Sequence, residues 1–396
     1  MHFDFLLTLN APLLKRLVLH VCWLGSVLLA LTPPTAQAKK TPQETVKTSH
    51  HATRASGKAP KAHTSHIHSA PKHTGSALTD DIHVMAWMQE AAPRLQLDPV
   101  WLQKNLADAR RLPLVEKLVL PPSTPAAKDW GAYRARFIEP TRIQAGARFW
   151  RKHQATLERA ETTFGVPAAI VVGIIGVETL YGQNTGNFRL LDALGTLAFH
   201  FPAAHPRATE RQAFFRSELE HFLVLSARSG ADPLSVRGSY AGAMGLPQFM
   251  PSSWVKHAVD FDGDGRIDLF NSPADAIGSV ANYFKAFQWR TGMPTHYPVS
   301  LSVQTDMDSL MAPDILPTFS VNSFIAKGAG LDGAALTHKG PLALVELRNG
   351  NNAPSYVAGT ENFYAITRYN WSSYYAMAVI ELGDEVKQKM NGVAGR

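Results

Sequence analysis

The sequence predicts a mainly α fold of the α+β kind, with one small β-rich insertion. Three observations carry that expectation. Apolar residues recur at helical spacing from Ile82 to about Met293. Short alternating runs such as Leu342-Ala-Leu-Val-Glu-Leu347, separated by Gly and Asn, replace that spacing from Tyr297 to about Arg368. Helical spacing returns from Tyr374 to Lys389. A chain of 396 residues with 45% apolar residues has room for two or three domains and a sizeable core.

The N-terminal part reads differently. Lys15 and Arg16 precede an apolar run, Leu17 to Leu31, and Ala36-Gln-Ala38 supplies a small-x-small cleavage site, so residues 1–38 are expected to be a secretory signal peptide that delivers the chain to the periplasm. Cys22, the only cysteine, lies inside that run without the small residues that precede a lipid-anchored cysteine. The mature chain would then have no disulfide and no thiol chemistry. Residues 39–78, rich in His, Lys, Thr, Ser, Ala and Pro, are expected to form a disordered linker that attracts anionic envelope surfaces weakly. Lys39, Lys40, Lys47, Arg54, Lys58, Lys61 and Lys72 oppose Glu44 alone in this stretch, so the formal charge of +7 resides at the N-terminus. The remainder is neutral overall, which removes the electrostatic case for nucleic acid. Its histidines, His50, His51, His63, His66, His68 and His73, are read as solvated rather than as metal ligands.

Along the rest of the chain, residues 79–150 are expected to form a helical domain, completed by a C-terminal helix over 371–390. Val84, Trp87 and Met88 share one stripe, and Leu102, Leu106 and Ala109 another. Pro121-Pro-Ser-Thr-Pro125 is a break. A long amphipathic helix runs from about Pro140 through Phe149, Trp150 and Leu157 to Phe164. Residues 151–296 form a second unit, with helices over 190–199 and around Phe214, Phe215, Leu219, Phe222 and Leu223, separated by a polar, Pro-rich insertion from Pro202 to Glu210. Residues 297–368 form the β-rich insertion.

The chemistry centres on Gly165 to Gly182, where one acid, Glu178, closes the most apolar run after the signal segment. Pro167 suits a first helical turn and Gly182 a stop, which leaves a helix of about four turns. Val171, Ile174 and Ile175 lie one to two turns before Glu178 on its face. Burial and the negative end of the helix dipole both favour the protonated acid, as a general acid working near neutral pH requires. The same placement also suits a carboxylate that caps backbone or pairs with an Arg.

Two further segments stand out. In residues 233–256, Gly238, Gly242 and Gly245 let backbone approach a ligand closely, while Ser239, Tyr240 and Gln248 offer neutral hydrogen-bonding groups beside aromatics, a combination that suits a sugar. Glycines that serve packing in a helical hairpin are the other reading. Asp260-Phe-Asp-Gly-Asp-Gly-Arg-Ile-Asp-Leu-Phe-Asn271 follows the calcium-loop rule at its first nine positions: acids at 1, 3 and 5, Gly265 at 6, the Arg266 carbonyl at 7 and apolar Ile267 at 8. Asn271 stands where the rule has a bidentate Glu, and Asp275 is placed to close a longer loop. One such loop without a partner reads as structural, not as a calcium sensor.

Gly176-Val-Glu-Thr-Leu-Tyr-Gly182, Gly242-Ala-Met-Gly-Leu-Pro-Gln-Phe-Met-Pro-Ser-Ser-Trp254 and the Asp loop, in this order and spacing, resemble the B-type lytic murein transglycosylases. The resemblance covers about residues 82–390, including Ala274 to Phe284 and Ile366-Thr-Arg-Tyr-Asn370. It implies a lysozyme-like catalytic core and cleavage of the MurNAc to GlcNAc bond of peptidoglycan, with no catalytic cofactor and a structural Ca²⁺. Glu178 matches the family's catalytic acid. Ser239, Gln248, Tyr283, Tyr369, Asn370, Tyr375 and Arg211 match positions lining the glycan groove, and Asp260, Asp262, Asp264, the carbonyl of Arg266 and Asp275 match the calcium site. Asp275 stands one residue further along than in the best-known member, and the Pro202 to Glu210 insertion replaces a shorter basic segment. A hydrolytic muramidase and an inactive peptidoglycan-binding scaffold remain as alternatives; hydrolysis would need a second carboxylate across the scissile bond, and Asp192 reads as structural.

Overall fold

The computed structural model describes residues 75–122 and 128–394. The expected signal peptide, almost all of the basic linker and part of the 121–125 break lie outside those residues. The last residues of the expected linker are among those described: Ala77 bridges Arg110, and Leu78 is fully buried. Helices α1 (Ile82–Arg94) and α2 (Pro99–Asp108) start where Asp81 and Asp98 accept the backbone N–H of His83 and Val100. After α3 (Pro113–Leu118) and α4 (Trp130–Arg134) comes the segment expected as one long helix. It is two, α5 (Pro140–Lys152) and α6 (Gln154–Phe164), broken at His153. The break lets each half bury its apolar side on a different partner: α5 packs against the C-terminal helix α15 (Ser373–Ala394), and α6 against α11 (Pro273–Ala286).

Helix α7 (Ala168–Thr179) is the centre of the core. Gly165, at φ 73°, ends α6, and the Glu161 carboxylate accepts the Ala168 N–H at 2.9 Å to cap α7. All residues of α7 except Glu178 are buried, so the acid sits on a helix with no solvent face. Helix α15 lies against it at close quarters. A Cβ on Gly173 would run into the Val379 carbonyl, and one on Gly383 into the Ala169 carbonyl. We expect Gly173→Ala to lower stability by about 1–3 kcal/mol through overpacking; unchanged urea unfolding would mean the helices are less tightly docked.

Strand β1 (Phe188–Arg189) pairs antiparallel with β2 (Arg237–Gly238), and between them α8 (Leu190–Phe199) packs on α9 (Ala208–Ser229). Short α10 (Pro251–His257) bridges α9 and α11. The small insertion has its own core of Tyr297, Leu310, Phe324, Leu342, Leu344 and Ala358. Its sheet runs β3 (His296–Pro298), β7 (Asn352–Gly359), β6 (Ala343–Asn349), all antiparallel, beside a two-stranded pair, β4 (Ser300–Leu301) with β5 (Ala329–Gly330). Two helical turns, α12 (Met307–Met311) and α13 (Val321–Ala326), interrupt it. The β character ends earlier than expected. Thr360 accepts the Asn362 N–H and starts α14 (Glu361–Tyr369), whose Phe363 and Ile366 recur three apart on the buried side.

Candidate active site

Glu178 is the penultimate residue of α7. Behind it Leu180, Tyr181 and Gly182 all take positive φ (51°, 57° and 89°), a left-handed turn in which two residues carry side chains. Such a turn persists only where its surroundings hold it. Thr179 does part of this: its hydroxyl donates to the Leu246 carbonyl (2.9 Å) and accepts the Gly182 N–H (3.0 Å). The helix end is thereby pinned to the Gly-Leu-Pro-Gln segment.

The carboxyl of Glu178 lies among phenols. Tyr375, on α15, donates to its Oε1 at 2.5 Å. Burial pushes the Glu178 carboxyl up to about 7, and the Tyr375 hydrogen bond opposes the rise. Burial also raises the phenols of Tyr369 and Tyr133, and the charge of Glu178 adds to both shifts. Tyr369 stacks on Tyr375 (6.4 Å between centroids) and tilts against Tyr283 (4.8 Å). Their hydroxyls are anchored to backbone, Tyr369 to the Pro247 carbonyl (2.5 Å) and Tyr283 to the Arg368 carbonyl (2.7 Å).

Gln248, at φ 51°, donates from Nε2 to the carbonyls of Thr185 (3.1 Å) and Gly245 (2.9 Å). Its Oε1 is buried without a hydrogen-bond partner. Ser239 is buried too, but its hydroxyl accepts the Ala243 N–H (2.9 Å) and closes its own turn. Asn370 is buried directly after Tyr369. Arg211 extends from α9 over Phe215 and Phe214, 5.2 and 5.4 Å from their ring centres, and its charge bears on Tyr240 rather than on Glu178. The structure therefore gathers Tyr375, Tyr369 and Tyr283 around the Glu178 end of α7, with Gln248 and Ser239 in the adjoining segment, where the charge of Arg211 acts on Tyr240. Tyr133 was not legible in the sequence; only its helical spacing with Trp130 and Phe137 marks it, and that pattern looks like core.

Asp192 is fully buried, takes the Arg110 N–H at 2.9 Å and pairs with Arg189 at 2.7 Å. These ties make it a structural acid.

In the Asp loop, oxygens of Asp260, Asp262 and Asp264 lie within 4.8 Å of one another. Asp260 accepts three backbone N–H groups of the loop, from Gly263, Asp264 and Gly265, which fold the chain around the cluster. The donor set is oxygen-rich and acidic, as a hard divalent cation requires. Asp275 is not part of that group. Its buried carboxylate accepts the Phe261 N–H (2.7 Å) and the Asp268 N–H (2.8 Å), bracing both limbs of the loop from behind. The sequence reading counts Asp275 among the ligands; in the fold its carboxylate meets these two amides, one on each oxygen.

Comparison with known proteins shows the family. The model of the transglycosylase SLT domain matches residues 81–384. Membrane-bound lytic murein transglycosylase B of Escherichia coli (strain K12) is 43% identical over 302 residues, 72% of this chain and 77% of that protein. The crystal structure of soluble lytic transglycosylase SltB1 from Pseudomonas aeruginosa superposes with a TM-score of 0.71 at 41% identity, covering 78% of this chain and 99% of that one. The Escherichia coli lytic transglycosylase Slt35 in complex with calcium gives 0.68 at 38% identity, covering 80% and 96%. With an acid at the end of a buried helix, a tyrosine wall beside it and relatives matched over most of their length, the chain belongs to the SLT family of lytic transglycosylases.

Proposed function

We propose that Glu178 performs both proton transfers in the lytic cleavage of murein. The reaction is the family's, scission of the MurNAc to GlcNAc bond. Protonated Glu178 gives its proton to the glycosidic oxygen. The resulting carboxylate takes the proton of the C6 hydroxyl on the same muramoyl residue, whose oxygen closes a 1,6-anhydro ring. The observation that carries this reading is the state of the acid itself: a carboxyl held near 7 can serve as acid and then as base at neutral pH. The ring-closing hydroxyl is already on the substrate, so the step has the advantage of an intramolecular reaction. Hydrolysis would instead need a second free carboxylate, and Asp192 is committed to Arg110 and Arg189. Mass spectrometry of digested sacculi tests the reading: anhydromuramoyl ends are expected, and reducing muramoyl ends would overturn it.

Gln248 Oε1, buried and unpaired, fits a sugar hydroxyl or amide N–H, and Tyr283, Tyr369, Asn370 and Ser239 line the same groove on this reading. Tyr375 tunes the acid. Its hydrogen bond favours the carboxylate, so Tyr375→Phe is expected to raise the Glu178 pKa above about 7 and move the alkaline fall of activity to higher pH. Turnover should drop by about tenfold or more, since a charge-assisted hydrogen bond is worth ~1.5–3 kcal/mol. A pH–rate profile identical to the parent's would remove this role. The loop carboxylates of Asp260, Asp262 and Asp264, with the Arg266 carbonyl, are suited to hold Ca²⁺ as a brace for the segment leading into α11. A murein substrate places the enzyme in the cell envelope, where a signal over residues 1–38 would deliver it.

A further inference from the structure

The end of the catalytic helix is also held by a half-buried cation that the proposed reaction does not use. Arg142 lies in the first turn of α5, and its Nη1 donates to the Gly176 carbonyl at 2.6 Å. Gly176 is in the same helical turn as Glu178. The last carbonyls of a helix carry its negative end, and a cation there stabilises them.

Arg142 is costly to place. Burial pushes its guanidinium below the ordinary Arg value, and its Nε is buried with no hydrogen-bond partner. Glu139, which caps α5 by accepting the Arg142 N–H, is the acid whose charge reaches it. The ring of Phe137 lies 5.2 Å from the guanidinium carbon.

Tyr181 completes the arrangement. This residue is in the left-handed turn directly after the Glu178 helix, and the charge of Arg142 acts on its phenol. The hydroxyl is buried and also lacks a partner. It enters a slot that exists because positions 146 and 176 are glycines: a Cβ at either would run into the Tyr181 hydroxyl. The ring is backed by Phe149 at 5.2 Å. Arg142 Nε and the Tyr181 hydroxyl are both among the buried side-chain polar atoms without a hydrogen-bond partner, and each such atom is costly to bury. They are the cost of holding a turn that ordinary packing would relax.

We propose that Arg142 is a positioning residue for the reaction: anchored on the Gly176 carbonyl and lidded by Tyr181, its guanidinium fixes the last turn of α7 so that Glu178 points at the glycosidic oxygen. This rests on the reading of Glu178 as the acid. Arg142 acts through the helix backbone and touches no substrate, so its loss affects turnover and not substrate affinity.

The test compares the parent with Arg142→Lys and Arg142→Gln on soluble glycan strands, at a temperature where circular dichroism shows each variant folded. Lys keeps the charge and one donor; Gln keeps a donor without the charge. The expected order of kcat is parent, Lys, Gln, with Gln about 10- to 100-fold below the parent, the loss that a misplacement of about 1 Å produces. KM should stay within about twofold of the parent's for both. A residue that only stabilises the fold would lower the melting temperature and leave kcat of the folded enzyme alone. The proposal is overturned if both variants keep the parent's kcat, or if the loss lies in KM. Should the Gln variant fail to fold, the Lys variant decides by the same two criteria. Glu178→Gln, assayed alongside, separates the two readings: activity in that variant sinks the acid, whereas an inactive Glu178→Gln beside unchanged Arg142 variants sinks only the positioning role.

Discussion

Glu178→Gln is expected to lower turnover on murein by about 10²- to 10⁴-fold, toward the upper end because one group serves both proton transfers. The fold should survive and become more stable. The Glu178 carboxyl lies at about 7 in the folded chain against 4.5 for the free group, with burial as the main cause. A raised acid disfavours the folded state once it ionises. The parent therefore loses stability as pH rises from about 4.5 to about 7 and is level above that. Glutamine does not ionise, so the variant's advantage grows over the same window, to at most about 3 kcal/mol at pH 8. Urea unfolding at pH 4.5 and pH 8 checks the sign. A variant that stays active, or one whose advantage is the same at both pH values, would contradict the buried acid.

Calcium at about a hundredfold above its Kd should stabilise the protein by about 2.7 kcal/mol, a melting-temperature rise of roughly 5–10 °C for a domain of this size. Asp262→Asn separates binding from mere charge repulsion. Three carboxylates within 4.8 Å repel one another, so without calcium the variant should be as stable as the parent or more so. With calcium it should lose most of the response. Because the loop carboxylates are proposed to brace the fold and not to touch the reacting bond, turnover at a temperature far below unfolding should change little with a chelator. A melting temperature indifferent to calcium in the parent would remove the metal site.

These two expectations differ in how far the sequence anticipated them. The Asp loop is local. Its acids, its glycine turn and the Arg266 carbonyl follow from spacing alone, and the fold reproduces the cluster. The amide partners of Asp275 did not follow from spacing, because they depend on how α11 docks behind the loop. The helices were legible wherever apolar periodicity ran uninterrupted, as in α1, α2, α9 and α15. The boundary at His153 was not, since both halves continue one amphipathic pattern and only their different partners separate them. Helix α14 was hidden by the strand-like residues before it; its Thr360 cap was a signal that went unread.

For the acid, the sequence by itself determined that a carboxylate stands near the end of an otherwise almost entirely apolar helix, because Glu178 is the only carboxylate between Gly165 and Gly182. Only the tertiary structure decided what that carboxylate is able to do. Its proton affinity is set by groups distant along the chain: the packing that buries the carboxyl and the hydrogen bond from Tyr375, 197 residues away. The Arg142 anchor under the same helix belongs to this second class. Desolvation and hydrogen bonding act through space over a few ångströms, and a linear pattern does not state which distant residues will share that space.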